Sequence, residues 1–325
     1  MTTNSSNLSI ADHAIFVQAI TKRFGNFTAV DHVNFEVNRG EIFSLLGPNG
    51  AGKTTIIRMI LDILRPDDGQ IQVLGGALTD ATKDRIGYLP EERGLYKNVK
   101  VLEMLIYLGQ LKGMSTHDVR GRALDLLERF GLSDNTKSKI SQLSKGMQQK
   151  VQIIATILHK PELLIIDEPF SGLDPVNTQL IQDLLYEMKA EGVTIVMSTH
   201  QMHQVEEMAD RLLMINKGQR VLYGPVKEVR QTYAQNAVIV EGEGNWTTVP
   251  GVKEVLAGRN GHEAKLMLAS GFTPDDVMQI LASRKDYTVR RFELAVPSLN
   301  EIFIQVVGGN GSRAEARFND VRAAD

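Results

Sequence analysis

The sequence predicts an α/β domain with a largely parallel sheet and a helical insert, followed by a small α+β module. Three observations carry this. Between residues 14 and 225, apolar runs of strand length alternate with apolar residues at helical spacing. From about 96 to 150 the strands drop out and only helical periodicity remains. After "NKGQRVLYG" the order becomes strand, strand, helix, strand, helix, ending near residue 308.

The elements follow in order. Residues 1–13 are polar and lack a basic stretch followed by an apolar run, so a flexible N-terminus is expected rather than a signal peptide. "VNFEV" alternates with period two, through Val33, Phe35 and Val37. "EIFSLLG" is a short apolar run ending in glycine, and "KTTIIRMILDIL" repeats apolar residues as a helix does. "VLEMLIYLGQLKG" and "VRGRALDLLERFGL" form the helical insert. In it, Ala123, Leu124, Leu126, Leu127 and Phe130 fall at core spacing and carry no chemistry. "ELLIIDEP" and "GVTIVMSTH" read as buried parallel strands. In the module, "AVIVEGE" and "AKLMLAS" read as strands, "TPDDVMQILASRK" as a helix, "YTVRRFELA" as a strand and "SLNEIFIQVV" as a helix. Thr273 before Pro274 has the pattern of an N-cap followed by proline at the first helical position. The glycine-rich, charged segment 309–325 is expected to be flexible.

Composition narrows the function classes. Of 325 residues, 42% are hydrophobic and 23% charged, the balance of a soluble globular protein. A net charge of −3 gives no basic footprint, so no nucleic acid is expected as a ligand. Without cysteine there is neither a disulfide framework nor a thiolate metal site. No apolar run approaches the roughly 18 residues of a membrane helix. A role at a membrane would therefore need another chain to cross it.

"GPNGAGKT" sets the chemistry. Gly47, Pro48, Asn49, Gly50, Ala51, Gly52, Lys53 and Thr54 match the phosphate-loop spacing G-x-x-x-x-G-K-[ST], between a predicted strand and a predicted helix. The glycines let backbone N–H groups turn toward phosphate oxygens, and the helix N-terminus adds its dipole. Lys53 brings a positive charge to the β- and γ-phosphates, the Thr54 hydroxyl is suited to Mg²⁺, and Thr55 can reach the α-phosphate. "LLIIDE" ends a buried strand in two acids at the sheet edge where α/β proteins bind ligands. Asp167 is suited to hold Mg²⁺, and Glu168 to act as general base toward water. In "LSKGMQQK", Ser144 and Gly146 open a helix. Ser144 reads either as a plain N-cap or as part of an anion-receiving helix start.

In this order the segments resemble the nucleotide-binding subunit of an ABC transporter, over about residues 15 to 225. "LSKGMQQ" is similar to that family's signature, with Lys145 in place of the first glycine; "SGLD" resembles its D-loop and "STHQMHQVE" its switch-histidine segment. The resemblance implies a P-loop NTPase of ABC type, a mixed sheet with a helical insert, that hydrolyses ATP with Mg²⁺. It implies that Phe24 in "KRFG" stacks on adenine and that His200 positions the γ-phosphate. It also implies a head-to-tail homodimer in the ATP-bound state, in which Ser144 and Gly146 contact the partner copy's ATP. Glu91, in "LPEERGLY", stands where the family usually has glutamine, and is expected near Mg²⁺ with an altered role. The same wording resembles an export-type subgroup that includes sodium-extrusion and drug-export subunits.

The expected function is thus an ATPase at the cytoplasmic face of the membrane, bound to a separate transmembrane permease and driving export. The module at 226–308 is expected to be an accessory domain. The alternative is a soluble clamp of the same family acting on ribosomes or nucleic acid; one phosphate loop, no cysteine and no sustained heptads favour the transporter. His203, three residues past His200, lacks a third ligand and reads as a solvated helix face rather than a metal site.

Overall fold

The computed structural model describes residues 13–92, 94–257, 263–284 and 286–310. Its contacts divide the chain into two units, the first ending at Val226 and the second beginning at Lys227. The flexible segments expected at 1–13 and 309–325 lie outside the described residues except at their inner ends. His13 opens the first strand and is buried, and Gly309 and Asn310 close a π-helical turn, Val306–Asn310.

The first unit runs β1 (His13–Phe24), β2 (Phe27–Asn38), β3 (Ile42–Leu46), α1 (Lys53–Ile60), β4 (Asp68–Val73), α2 (Asp80–Lys83) and β5 (Ile86–Leu89). The helical stretch follows as α3 (Val101–Leu111), α4 (Thr116–Arg129) and α5 (Lys145–Ile157). Then come β6 (Leu163–Asp167), α6 (Pro175–Ala190), β7 (Thr194–Thr199), α7 (Met202–Met208), β8 (Arg211–Asn216) and β9 (Gln219–Pro225); α8 (Val226–Thr232) begins on the last residue of this unit and otherwise belongs to the second.

The main sheet has the order β5-β6-β7-β3-β8-β9. Its first five strands are parallel and β9 returns antiparallel on β8. The largely parallel sheet read from the sequence is therefore this one. The strands β2-β1-β4 form a separate antiparallel sheet. The reason is local. Gly25 (φ 57°) and Asn26 close a two-residue hairpin that pairs Phe24 with Phe27, and a hairpin returns the chain antiparallel.

Successive residues of β6 feed different cores. Leu163 and Ile165 join Phe43, Leu45, Ile56, Ile57 and the antiparallel sheet on one face. Leu164 and Ile166 join α3, α4, α5 and α6 on the other. A strand covered on both faces must be apolar at every position, which is why β6 reads as a continuous run. Each such side chain contributes about 1.5–3 kcal/mol on burial. This packing holds the carboxyl ends of β3, β6 and β7 side by side: Leu46 is in register with Thr199, and Asp167 with Ser198.

The second unit contains β10 (Ala237–Glu243), β11 (Val252–Ala257), β12 (Glu263–Leu268), α9 (Pro274–Ser283), β13 (Thr288–Leu294) and α10 (Leu299–Gln305). The four strands form an antiparallel sheet ordered β11-β12-β10-β13. Val277 and Leu281 of α9 pack on Val238, Val240 and Leu266. Thr273 caps α9, with Asp276 completing a capping box. β11 was absent from the elements expected. A register shift between Val252 and Glu254 breaks its alternation, so its valines sit three apart rather than two.

Candidate functional site

Most of the expected residues line one cleft of about 340 Å³ at the carboxyl edge of the main sheet. Phe24, Asn49, Gly50, Ala51, Gly52, Lys53, Thr54, Thr55, Glu91, Asp167 and Glu168 all face it. Gly47 and Pro48 stand behind, and their carbonyls accept the Lys53 ammonium at 2.7 and 3.4 Å.

The loop geometry explains its glycines. Gly52 has φ 113°, and a Cβ there would lie 2.6 Å from the Ala29 carbonyl oxygen. At Gly47 a Cβ would lie 2.2 Å from the Ile215 carbonyl oxygen. Both positions exclude a side chain for lack of space, and Gly52 also by conformation. Helix α1 starts at Lys53 with no side-chain cap, so its first-turn N–H groups keep no side-chain partner of their own. With the helix dipole, they suit the cleft to an anion.

The two acids at the end of β6 are held differently. Asp167, 3% exposed, takes the Thr54 hydroxyl on Oδ2 at 3.0 Å and the Ser198 hydroxyl on Oδ1. A carboxylate beside a hydroxyl offers the hard oxygen donors that suit Mg²⁺, with phosphate and water completing the shell. Among the described residues no group of three or more His, Asp or Glu side chains is placed to hold a metal ion.

Glu168, 8% exposed, sits at φ 52°, a left-handed conformation that turns its side chain off the strand direction. Its Oε1 lies 2.9 Å from His200 Nδ1 and 3.9 Å from Lys53 Nζ. Burial pushes the Lys53 pKa down, while Glu168, Asp167 and Glu91 oppose that shift. An incoming triphosphate would add further negative charge beside that ammonium.

Ser144 and Gly146 are not in the cleft. Ser144 is exposed and caps α5, accepting the Met147 N–H at 3.3 Å. Both readings of Ser144 remain consistent with this position. A role at phosphate needs a second copy.

The cleft also holds residues that the sequence reading passed over. Phe27 faces Phe24 across the hairpin; both are exposed and both line the cleft, as does Ala29. Two phenylalanines flanking Gly25-Asn26 were the available signal. Behind Glu168 lie Thr199 and Gln204, whose place in "STHQMHQ" gives no sign of convergence.

Comparison with known proteins adds the following. A family model described as "ABC transporter" matches residues 30–171, and one described as "ATP-binding protein DrrA1-3-like, C-terminal domain" matches residues 224–307. The uncharacterized ABC transporter ATP-binding protein YhaQ of Bacillus subtilis is 40% identical over 293 residues, covering 90% of this chain and 98% of its own. The Nod factor export ATP-binding protein I of Sinorhizobium fredii is 31% identical over 309 residues, covering 94% and 89%. A solved structure described as an ATP binding subunit of an ABC transporter superposes with a TM-score of 0.64 at 33% identity, covering 68% of this chain and 93% of that one.

Proposed function

This chain belongs to the ATP-binding subunits of ABC transporters, and on that premise we propose that its cleft hydrolyses ATP to drive a separate transmembrane permease outward. One observation carries the reading: the carboxyl pair at the end of β6 touches the phosphate loop, Asp167 through Thr54 and Glu168 through Lys53. Phosphate-binding groups and a carboxylate able to take a proton from water thus share one cleft.

Each residue then has a task. Phe24 supports the base by stacking. The loop N–H groups and Lys53 hold the phosphates in line for attack, and Glu168 accepts the proton of the attacking water. His200, bonded to Glu168, orients that carboxylate and faces the γ-phosphate. Thr54 and Asp167 would hold Mg²⁺, with Glu91 near it; the ion would neutralise developing phosphate charge. Ser144 and Gly146 of one copy would close over the nucleotide of another, making a homodimer in the ATP-bound state.

Among the described residues no helix is long and apolar enough to cross a membrane. A second cleft of about 430 Å³ in the same unit, lined mainly by apolar side chains such as Ile63, Tyr88 and Leu111, contains no residue of the proposed chemistry. Pro90 and Leu95 line it, while Glu91 lines the nucleotide cleft. A permease segment seated there, at the cytoplasmic face, would press on the loop that carries Glu91. The DrrA-type C-terminal match and the Nod factor export relative favour outward transport.

The test is paired. Glu168→Gln is expected to bind ATP and to lose phosphate release by at least about a hundredfold. Lys53→Ala is expected to lose nucleotide affinity itself. Normal turnover in the first, or unchanged affinity in the second, refutes the assignment.

A further inference from the structure

Glu168 has a second neighbour shell that the proposed chemistry leaves unused. Thr199 ends β7 and is fully buried; Gln204, on α7, is 5% exposed. The Thr199 hydroxyl accepts the Gln201 N–H at 3.0 Å and has a single proton to give. Two acceptors lie within reach of it: Gln204 Oε1 at 3.0 Å and Glu168 Oε2 at 3.5 Å. The Gln204 amide nitrogen donates to Gln201 Oε1 at 3.0 Å, which turns its oxygen toward Thr199.

Distance decides the contest. A hydroxyl bond at 3.0 Å is a good one, and at 3.5 Å it is close to none. The Thr199 proton therefore belongs to Gln204, and Glu168 Oε2 keeps its lone pairs. Glu168 Oε1 already faces His200 and Lys53. Oε2 is thus the oxygen left to receive a proton.

We propose that Gln204 is a positioning residue for hydrolysis: by holding the Thr199 proton it keeps Glu168 Oε2 open to the attacking water. This rests on Glu168 being the general base. Without Gln204, Glu168 Oε2 is the acceptor left within reach of the hydroxyl among the described residues, and a bond from it would compete with water for that oxygen and lower its basicity. The groups around Glu168 are otherwise unchanged: Lys53 from α1, His200 after β7, Asp167 beside it and Glu91 across the cleft.

The experiment is a double-mutant cycle on the full chain, read as kcat and KM for MgATP. Gln204→Met, close in shape and without an acceptor oxygen, is expected to lower kcat by about tenfold or more while KM stays within about twofold. Adding Thr199→Val to it removes the misdirected proton and is expected to restore kcat to within about threefold of the parent. Thr199→Val alone, which leaves Oε2 open, is expected to stay within the same range. Gln204→Glu keeps an acceptor and is expected to retain turnover. A purely structural role for Gln204 gives the opposite pattern, the double variant being slower than either single one, and that result overturns the proposal. So does unaltered kcat in Gln204→Met, or a tenfold loss in Thr199→Val alone. Glu168→Gln separates the two ideas. If it turns over normally, the base assignment fails; if it is inactive while Gln204→Met is unaffected, only the role of Gln204 fails.

Discussion

At the scale of single residues, the cleft is built from positions where one atom more would not fit. Gly52 combines φ 113° with a carbonyl 2.6 Å from where a Cβ would stand. Gly52→Ala must therefore shift the backbone at the very start of α1, where the anion-facing N–H groups begin. We expect at least about a tenfold loss of ATP affinity, seen by titration calorimetry, with little change at Gly50→Ala in packing because nothing lies within 4 Å there. Gly50 still has φ 77°, so its substitution strains the backbone without a clash. Wild-type affinity in Gly52→Ala would show that the loop tolerates a side chain and that the close approach is not needed. Much of this was legible beforehand. Gly47 to Thr54, Asp167 and Glu168 are residues whose chemistry is stated by their type and order. Phe27, Thr199 and Gln204 were not legible, because their places come from a hairpin register and from the end of β7 meeting the first turn of α7 behind Glu168, neither of which leaves a telling spacing in the chain.

At the scale of elements, the start of α5 combines a cap with the proposed contact to a second copy. Its N-cap, Ser144, accepts the Met147 N–H and is exposed. Aspartate caps a helix about as well as serine and favours the positive end of the dipole. Ser144→Asp is thus expected to keep the thermal midpoint of the isolated chain yet to repel a bound nucleotide and abolish closure. Ser144→Ala should instead lose about 1 kcal/mol of stability. A Ser144→Asp chain that hydrolyses ATP normally would leave capping as the only role. Just past the other end of α5, His159 is bonded to the Ile86 carbonyl at 3.1 Å. Burial pulls its pKa from 6.5 down to about 4, with Lys112 and Arg122 adding to the effect and Asp84 opposing it. The sign follows. Above pH 6.5 the ring is neutral folded and unfolded, and nothing is lost. As pH falls from 6.5 toward 4 only the unfolded chain takes the proton, so stability declines across that window. His159→Gln is expected to flatten this part of a plot of thermal midpoint against pH; an unchanged slope would place the acid sensitivity elsewhere. In the first unit α1, α3, α4 and α5 were readable from helical spacing, β2 from its alternation, and β3, β6 and β7 from continuous apolar runs, whereas β1, β4, β5, β8, α6 and α7 were not named in advance. Nor was β11, since a bulge between Val252 and Glu254 disrupts the alternation that reveals a strand.

At the scale of the whole molecule, the proposed site is only half present in one copy. The phosphate loop and both carboxylates share a cleft, while Ser144 and Gly146 stand outside it at the exposed start of α5. A sequence can state both halves and still not place them together, because the proposed contact would run between chains. Nucleotide must then supply the attraction: its γ-phosphate would be gripped by the loop of one copy and the helix start of another, and cleavage of that phosphate would release the grip. Blocking the chemistry should trap the closed state. Light scattering on Glu168→Gln with saturating ATP and Mg²⁺ is expected to give twice the 36.0 kDa of the single chain. ADP, or removal of Mg²⁺ by a chelator, should return the mass to that of one copy. Ser144→Asp in the same background should never double, and this outcome bears most directly on the argument, since that variant retains the whole nucleotide cleft. A Glu168→Gln/Ser144→Asp chain that still dimerises on ATP would mean that the copies meet through another surface and that the helix start of α5 takes no part in closure.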